Sequence, residues 1–250
     1  MNHDWIVPDW PAPTNVKAFI TTRHGGVSTG PHASFNLGLR ADDDAQAVAQ
    51  NRMLLQQHLP QVPKWLRQIH GTRVVNADAI NERTDSLEAD ASIALNPGTV
   101  CTIMIADCLP VLFTNRAGTR VAAAHAGWRG LSNGVIGNTV QALSNAGDDT
   151  ADLLAYIGPG IGPTAFEVGA DVFEAFTAND AATRAAFVPH APGKWLANLS
   201  MLARRALAQA GLAPQHIYGG DLCTFSDPAR FYSYRRDKIT GRMAAFIWRL

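Results

Sequence analysis

The chain has 250 residues, 47% of them hydrophobic and 17% charged, and its 21 basic side chains balance its 21 acidic ones. This length suits one large domain with a sizeable core, and the zero net charge argues against broad electrostatic binding of nucleic acid or of an anionic membrane. Three cysteines give no disulfide framework, and the sequence contains neither a secretory signal nor a run that spans a bilayer, so we expect a cytoplasmic protein.

The N-terminal part of the sequence predicts an arm, a strand and a glycine-rich loop. Residues 1–15 contain several Pro and Trp and are expected to lie as an arm on the surface of a single domain that spans 1–250. A strand is predicted over 16–22. In the loop that follows, Arg23 is a candidate for binding an anion and Asn36 for a polar substrate contact, and a plain surface loop is the alternative.

The next segment predicts a helix and then a strand that ends at a histidine. Asp42 or Asp43 is expected to cap a helix that reaches about His58, because acidic residues favour a helix N-terminus. A strand is predicted over 65–69, and His70 follows it at a turn. A histidine in such a place is either an ordinary polar residue or a metal ligand, and this segment alone leaves both open.

A β-hairpin in the middle of the chain brings a thiol towards an imidazole. The β-branched run 100–105 predicts a buried strand; Cys108 follows it, and Pro110 is expected to interrupt the next strand with a bulge. If the hairpin pairs regularly across its turn, Cys108 lies opposite His125, and opposed residues have Cβ atoms roughly 5 Å apart. Asp107 then points to the other face, which favours a hydrogen-bonding role over a ligand role.

The second half of the sequence predicts further helices and strands. A glycine-rich turn leads into a helix predicted over 131–146, at whose start Arg129 and free N–H groups form a candidate anion site; a solvent-exposed Arg129 is the alternative. Residues 230–237 mix cations with aromatic rings. The segment is a candidate contact for a base or phosphate, and an Arg-rich strand is the alternative. The other predicted elements are strands at 153–157, 216–218 and 244–248 and helices at 170–177 and 199–210. Because strands outnumber helices and occur in runs, we predict an α+β fold with mainly antiparallel or mixed pairing.

Two imidazoles and one thiol are the basis of the main functional hypothesis. His70, Cys108 and His125 lie apart in the sequence, and together they form the ligand set of a zinc ion with one open coordination position. Such an ion lowers the pKa of a bound water towards neutrality. Copper can also occupy a site of this kind.

A series of short sequence blocks resembles the YfiH/laccase-domain family, whose members were first labelled polyphenol oxidases and later purine nucleoside phosphorylases. The resemblance runs from about residue 16 to the C-terminus; each block is short, and their order along the chain makes the set specific. The blocks are TTRHGGVS from residue 21, SFNLG from 34, QIHG from 68, ADCLPV from 106, HAGWRG from 125, IGP from 157 with EVG from 167, and SYRRD from 233 with TGR from 240.

The resemblance implies a fold, a metal and an activity. It implies a layered αββα fold with mixed and antiparallel sheets, similar to that of cysteine hydrolases, and a zinc ion held by His70, Cys108 and His125. It further implies phosphorolysis of adenosine, inosine, guanosine and methylthioadenosine, together with deamination of adenosine. Some bacterial members are described as hydrolases that edit peptidoglycan precursors, which is the alternative function.

Several mechanisms are compatible with these residues. In a zinc enzyme, phosphate held by Arg23 or Arg129 attacks C1′ of the nucleoside, or water attacks C6 of adenine. In a metal-free hydrolase, Cys108 is the nucleophile and His125 the base, with Asp107 as a further catalytic candidate. A copper polyphenol oxidase needs many histidines, whereas the eight present are scattered without a His-x-His pair. A non-catalytic binding module is the last alternative, and the oligomeric state is left open.

Overall fold

The computed structural model describes residues 3–81 and 86–250. The helices are α1 (Ala45–Gln56), α2 (Trp128–Ser132), α3 (Val135–Asn145), α4 (Ala170–Thr177), α5 (Leu199–Gln209) and α6 (Tyr234–Asp237). The strands are β1 (Val16–Ile20), β2 (Val74–Asn76), β3 (Ala91–Ala94), β4 (Cys101–Ile105), β5 (Leu109–Asn115), β6 (Val121–Ala126), β7 (Leu153–Ile157), β8 (Glu167–Val168), β9 (Phe187–Ala191), β10 (Lys194–Ala197), β11 (Ile217–Gly219) and β12 (Met243–Arg249).

Within the residues that the structure describes, the strands form three sheets. The small sheet is antiparallel and has the order β1–β12–β4. The large sheet has the order β11–β7–β5–β6–β3–β2; its two outer pairs are parallel and its inner pairs antiparallel. β8, β10 and β9 make a separate antiparallel ribbon.

The two main sheets stack face to face with helices on both outer sides. Alternating side chains face opposite ways along a strand, so Phe113 and Ala124 of the large sheet pack with residues of α3 and α5. Their neighbours Leu112 and Ala123 pack with residues of the small sheet. The outer face of the small sheet, which includes Phe246, packs with residues of α1. This order of layers confirms the predicted α+β fold with αββα layering and mixed and antiparallel sheets.

The register of the β5–β6 hairpin differs from the predicted one. Pro110, not Cys108, lies opposite His125, because Asn115 accepts hydrogen bonds from the N–H groups of Thr119 and Arg120 and so closes a longer turn. The predicted bulge is also wrong, since β5 pairs without interruption from its first residue. The shift is of two residues, and an even shift keeps every side chain on its face. The thiol and the imidazole therefore still share one side of the hairpin.

The strand predicted over 65–69 is wrong in the part of the chain that the structure describes. Arg67 makes an isolated bridge with Glu88, and the segment forms no strand. The amide of Gln68 bonds both the N–H and the carbonyl of Met104, at 2.8 Å each, in place of a strand ladder. Of the two alternatives left open for residues 230–237, the Arg-rich strand is not formed: the segment includes the single-turn helix α6, which the Ser233 hydroxyl caps.

The predicted helices are present with changed ends. The helix predicted over 131–146 is divided into α2 and α3, because Gly134 between them has a φ of 96°. Asp44, rather than Asp42 or Asp43, caps α1. The strands predicted at 153–157, 216–218 and 244–248 and the helices predicted at 170–177 and 199–210 are confirmed as β7, β11, β12, α4 and α5.

The described part of the N-terminal arm packs against the small sheet and its surroundings. Ile6 forms a bridge with Ile20 of β1. Trp5 stacks on Phe19, with ring centroids 4.7 Å apart. The boundary of the arm at residue 15 and the single domain over 1–250 stay predictions, and residues 1–2 of the arm lie outside the described residues. None of the described helices has the length and the apolar content needed to cross a membrane.

Candidate metal centre

His70, Cys108 and His125 converge at one point of the fold. One donor atom from each lies within 4.8 Å of the others, and Cys108 Sγ is 3.8 Å from His70 Nε2. Tetrahedral zinc with ordinary bond lengths holds a sulfur and a nitrogen about 3.6 Å apart. The three side chains therefore have both the chemistry and the spacing that a metal ion with an open position requires.

Different segments carry the three donors to this point. His125 lies in β6 on the same face as Ala123, towards the small sheet. Cys108 lies in the connection through which the chain passes from the small sheet, at the end of β4, to the large sheet at β5. His70 has a φ of 60° and Asp107 a φ of 95°. Left-handed backbone at residues other than glycine concentrates at functional sites, where surrounding contacts hold it.

Asp90 is a fully buried carboxylate that organises both histidines. Its Oδ1 accepts hydrogen bonds from His125 Nδ1 at 2.8 Å and from the His70 N–H at 2.9 Å. Its Oδ2 accepts from the N–H groups of Gly71 at 2.7 Å and Ile69 at 3.2 Å. Because Nδ1 of His125 is engaged, its Nε2 is the atom left to face a metal, as in many carboxylate–histidine–metal arrangements. Burial raises the pKa of Asp90, but the bonds and charge of His125 and the loop N–H groups outweigh burial and lower it.

The sequence interpretation missed Asp90, although a signal was present. Asp90 lies between Ala89 and Ala91, in the small-residue run that becomes β3. Aspartate is almost never fully buried unless it is paired. A carboxylate inside a run that packs into a sheet therefore indicates a partner, and here the partners are the His125 ring and the N–H groups of residues 69–71.

Asp107 forms hydrogen bonds with three separate segments that surround the site. Its Oδ1 accepts from the Thr224 hydroxyl and its Oδ2 from the Arg235 N–H, both at 2.6 Å. Its carbonyl accepts from the Ile161 N–H at 2.8 Å. Both carboxylate oxygens are engaged, which agrees with a hydrogen-bonding role rather than a ligand role. The catalytic role assigned to it from the sequence stays a prediction.

The donors also shift one another's pKa. Burial raises the pKa of the Cys108 thiol, but the charges and hydrogen bonds of His125 and His70 outweigh burial and lower it to about 6. Burial lowers the pKa of His125, but Cys108 and Asp90 outweigh it and raise the pKa to about 9. At neutral pH these residues favour a thiolate beside an imidazolium, and the thiolate is the form of cysteine that binds metals.

The three donors line a cavity of about 550 Å³, a size typical of sites for small molecules. Trp128, Phe166 and Tyr234 supply aromatic rings to its wall. Among the lining residues that the structure describes, Asp107 is the one carboxylate, and the basic residues other than His70 and His125 are arginines. These are Arg40, Arg67, Arg129, Arg235 and Arg242. The cavity is therefore suited to a ligand that combines a flat ring with negative charge.

Arg129 and Arg23, the two cations predicted to bind phosphate, lie in different places. Arg129 lines the cavity, with its guanidinium 4.3 Å from the ring centroid of Trp128. Arg23 does not line it, because Nε donates to the Ala33 carbonyl and Nη1 to the Pro228 carbonyl, each at 2.9 Å. Arg23 thus ties loops together outside the cavity.

Asn36, predicted to contact substrate, is fully buried behind the cavity wall. Its Oδ1 accepts from the N–H groups of Gly38 at 3.0 Å and Arg242 at 2.8 Å, and both of these residues line the cavity. Its Nδ2 donates to Asp43 at 2.9 Å. Asn36 therefore acts on the cavity by holding its wall and has no surface of its own there.

The chain is similar to known proteins along nearly its whole length. Residues 17–250 match the family model described as multi-copper polyphenol oxidoreductase laccase. The chain belongs to this laccase family. It is 54% identical to a purine nucleoside phosphorylase of Pseudomonas aeruginosa, over 98% of each chain. It is 52% identical to purine nucleoside phosphorylase YfiH of Escherichia coli, over 97% of this chain and 98% of that one. A crystal structure of a Neisseria meningitidis protein has a TM-score of 0.93 and 47% identity, and the match covers 98% of this chain and 99% of that chain.

The family model is described as multi-copper, whereas the described residues of this chain contain one cluster that could hold a metal ion. Across residues 3–81 and 86–250, His70, Cys108 and His125 are the one cluster of three or more side chains placed to hold a metal ion. This laccase-family site is therefore suited to a single ion. Its donor set fits zinc with an open position and is also accepted by copper.

Proposed function

We propose that this chain is a metal-dependent purine nucleoside phosphorylase that uses inorganic phosphate. The observation that carries the proposal is that the His70, Cys108 and His125 donors line a cavity that also holds arginines and aromatic rings. The relatives from Pseudomonas aeruginosa and Escherichia coli, which bear the name purine nucleoside phosphorylase, support the reaction class. Adenosine, inosine, guanosine and methylthioadenosine are the candidate nucleosides.

The residues of the cavity have separate tasks in this reaction. A phosphate oxygen forms a bond to C1′, the bond from C1′ to the base nitrogen breaks, and the base takes up a proton. The rings of Trp128 and Phe166 pack against the flat base, and arginines hold the phosphate. Zinc held by His70, Cys108 and His125 supplies a Lewis acid that stabilises developing negative charge.

Asp90 and the wall of the cavity support the chemistry. Asp90 keeps Nδ1 of His125 engaged, so that the imidazole presents Nε2 at a constant angle. The cavity wall also limits water around the sugar, which protects the bond under attack from plain hydrolysis. The reaction therefore requires that Asp90 stays hydrogen-bonded to His125 and that His70, Cys108 and His125 stay within coordination distance of the metal throughout turnover.

Metal content and product identity test the proposal together. The purified protein should contain close to one zinc per chain, and adenosine should yield adenine and ribose 1-phosphate only when phosphate is present. Changing His70, Cys108 or His125 to Ala should remove metal and activity together. A fully active, metal-free Cys108→Ala protein would end the proposal.

The same assay separates the other functions that the family resemblance implies. Deamination of adenosine gives inosine without phosphate. A hydrolase that edits peptidoglycan precursors releases its product without phosphate as well and is followed on that substrate. A copper polyphenol oxidase consumes oxygen when the protein is loaded with copper and given a phenol.

A further inference from the structure

Arg242 is a firmly held cation of the cavity wall. Its N–H donates to Asn36 Oδ1 at 2.8 Å, and its carbonyl accepts from the Leu37 N–H at 3.0 Å. Its aliphatic stem packs so closely on Gly38 that a Cβ at position 38 would lie 2.7 Å from Arg242 Cγ. Asn36 and Gly38 of the block SFNLG thus hold Arg242 of the block TGR in place, although about 200 residues separate the two blocks in the sequence.

The guanidinium of Arg242 is only partly used by the protein. Nη1 donates to the carbonyls of Thr240 at 2.8 Å and Gly241 at 2.9 Å. In the described part of the chain, Nε and Nη2 have no acceptor, and no carboxylate forms an ion pair with this arginine. Asp107, the carboxylate that lines the cavity, is already engaged by other donors. A partly buried cation without a counter-ion is unfavourable, so the site favours an anion.

Two other arginines of the cavity, Arg67 and Arg235, have engaged guanidinium groups as well. Arg67 pairs with Glu88 at 2.9 Å. Arg235 donates from Nη1 to a backbone carbonyl at 2.6 Å and lies 5.2 Å from the ring centroid of Phe166. The guanidinium of Arg129 lies over the ring of its neighbour Trp128 and forms no hydrogen bond or ion pair with the described residues, so it is less firmly held than that of Arg242. Arg242 combines a fixed stem, an engaged Nη1 and two remaining donors that point along one edge of the fork, which is the edge that recognises phosphate in a bidentate manner.

We propose that Nε and Nη2 of Arg242 bind the phosphate co-substrate in the cavity, beside the metal centre. This inference rests on the proposed phosphorolysis and assigns to Arg242 the role that the sequence analysis predicted for Arg23 or Arg129. Burial lowers the pKa of Arg242, while Cys108 and Asp107 are among the negative groups that raise it, so the guanidinium lies within electrostatic reach of a metal ligand. A divalent ion held by one thiolate and two neutral imidazoles keeps a net positive charge, which also favours an anion at this place.

Chemical footprinting tests this site without any turnover. The zinc-loaded protein is treated with phenylglyoxal, with and without inorganic phosphate, and the modified arginines are mapped by mass spectrometry of peptides. Phosphate should slow the modification of Arg242 several-fold, and adenosine alone should not. Isothermal titration of phosphate into Arg242→Gln should give an affinity at least about 10-fold below the wild type, since a bidentate charged contact is lost.

A matched control is available on the other side of the large sheet. Arg204 is also partly buried and donates to the carbonyls of Ile217 and Gly219, but it does not line the cavity. Arg204→Gln should therefore keep the phosphate affinity of the wild type. Arg242→Lys, which keeps the charge without the fork, should bind phosphate with an intermediate affinity.

The outcomes separate this inference from the proposed function. Protection of Arg129 or Arg235 in place of Arg242, or a wild-type phosphate affinity in Arg242→Gln, overturns the phosphate site. If Arg242→Gln does not fold, the footprint of the wild-type protein decides alone. Phosphate that protects Arg242 in a protein that cleaves no nucleoside leaves the anion site standing and ends the phosphorylase proposal.

Discussion

Replacing Asp90 by Asn should weaken the metal centre without changing any metal ligand. The Asp90 carboxylate accepts from His125 and the His70 N–H through Oδ1 and from the Gly71 and Ile69 N–H groups through Oδ2. An amide keeps one acceptor and puts an NH₂ group against N–H donors on its other side, whichever way it is placed. Two hydrogen bonds to a charged group are lost, and each contributes about 1.5–3 kcal/mol, so the metal-free protein should lose about 3–6 kcal/mol of its free energy of unfolding.

The same substitution should lower zinc affinity by about 10- to 100-fold, because His125 is no longer held in its ligand orientation. Competition with a chromogenic chelator measures the affinity, and urea unfolding of the metal-free protein measures the stability. The pKa of Asp90 is below its ordinary 3.8, so its stabilisation is complete at neutral pH and is lost as the pH falls through 3.8 and below. The difference between wild type and variant should therefore shrink in acid.

Asp148→Asn is the matched control for this experiment. The Asp148 side chain is buried and accepts from Asn115 Nδ2 and Arg120 Nη1, both at 2.7 Å, at the end of β5 remote from Cys108. It should reduce stability and leave zinc affinity unchanged. The reasoning is refuted if Asp90→Asn binds zinc as tightly as the wild type, or if both variants lose the same affinity.

Two further experiments examine the crowding and the ionisation of the centre. A Cβ at Gly127 would lie 2.8 Å from Cys108 Sγ and 3.0 Å from His70 Cδ2, so Gly127→Ala should fold but lose at least about 10-fold in zinc affinity, measured by chelator competition. Gly137→Ala in α3, where a Cβ meets nothing within 4 Å, should instead stabilise the protein by about 0.5–1 kcal/mol and keep its zinc; equal zinc affinities in the two variants would contradict this. In the chelator-treated protein, iodoacetamide should label Cys108 with a half-maximal rate near pH 6, because its pKa is lowered to about 6. Cys101, whose pKa burial raises to about 12, should react only after unfolding; labelling of Cys108 with the pH profile of an ordinary thiol, at about 8.5, would show that the imidazoles do not act on it.

Local sequence signals predicted what local physics controls. The helix α4 and the Asn198-capped helix α5 follow from apolar spacing and a capping side chain, which act within a few residues. The strand β7 follows from a short apolar run. The choice of His70, Cys108 and His125 also came from the sequence, because only a few residue types bind zinc and each of these stands at a turn or strand end.

Sequence patterns are poor guides where a residue forms its hydrogen bonds with distant parts of the chain. Residues 65–69 have the composition of a strand, but the Gln68 side chain takes up the backbone groups that a ladder would have used. Arg23 and Asn36 lie in a loop with the look of a binding loop, but distant carbonyls and N–H groups engage them. Hydrogen bonds to residues far along the chain carry no periodicity that a sequence pattern records.

The α+β class follows from the residues alone, because helix and strand periodicity are local properties of the sequence. The layered architecture and the family follow from the order of the short sequence blocks. The choice of His70, Cys108 and His125 as metal donors rests on donor chemistry and on the same blocks, and it stays a prediction. Only the tertiary structure decided the two-residue register of the β5–β6 hairpin, the carboxylate of Asp90 behind both histidines and the position of Arg242 in the cavity. These features depend on which backbone groups remain unpaired after the sheets have stacked, and that is decided by packing across the whole chain.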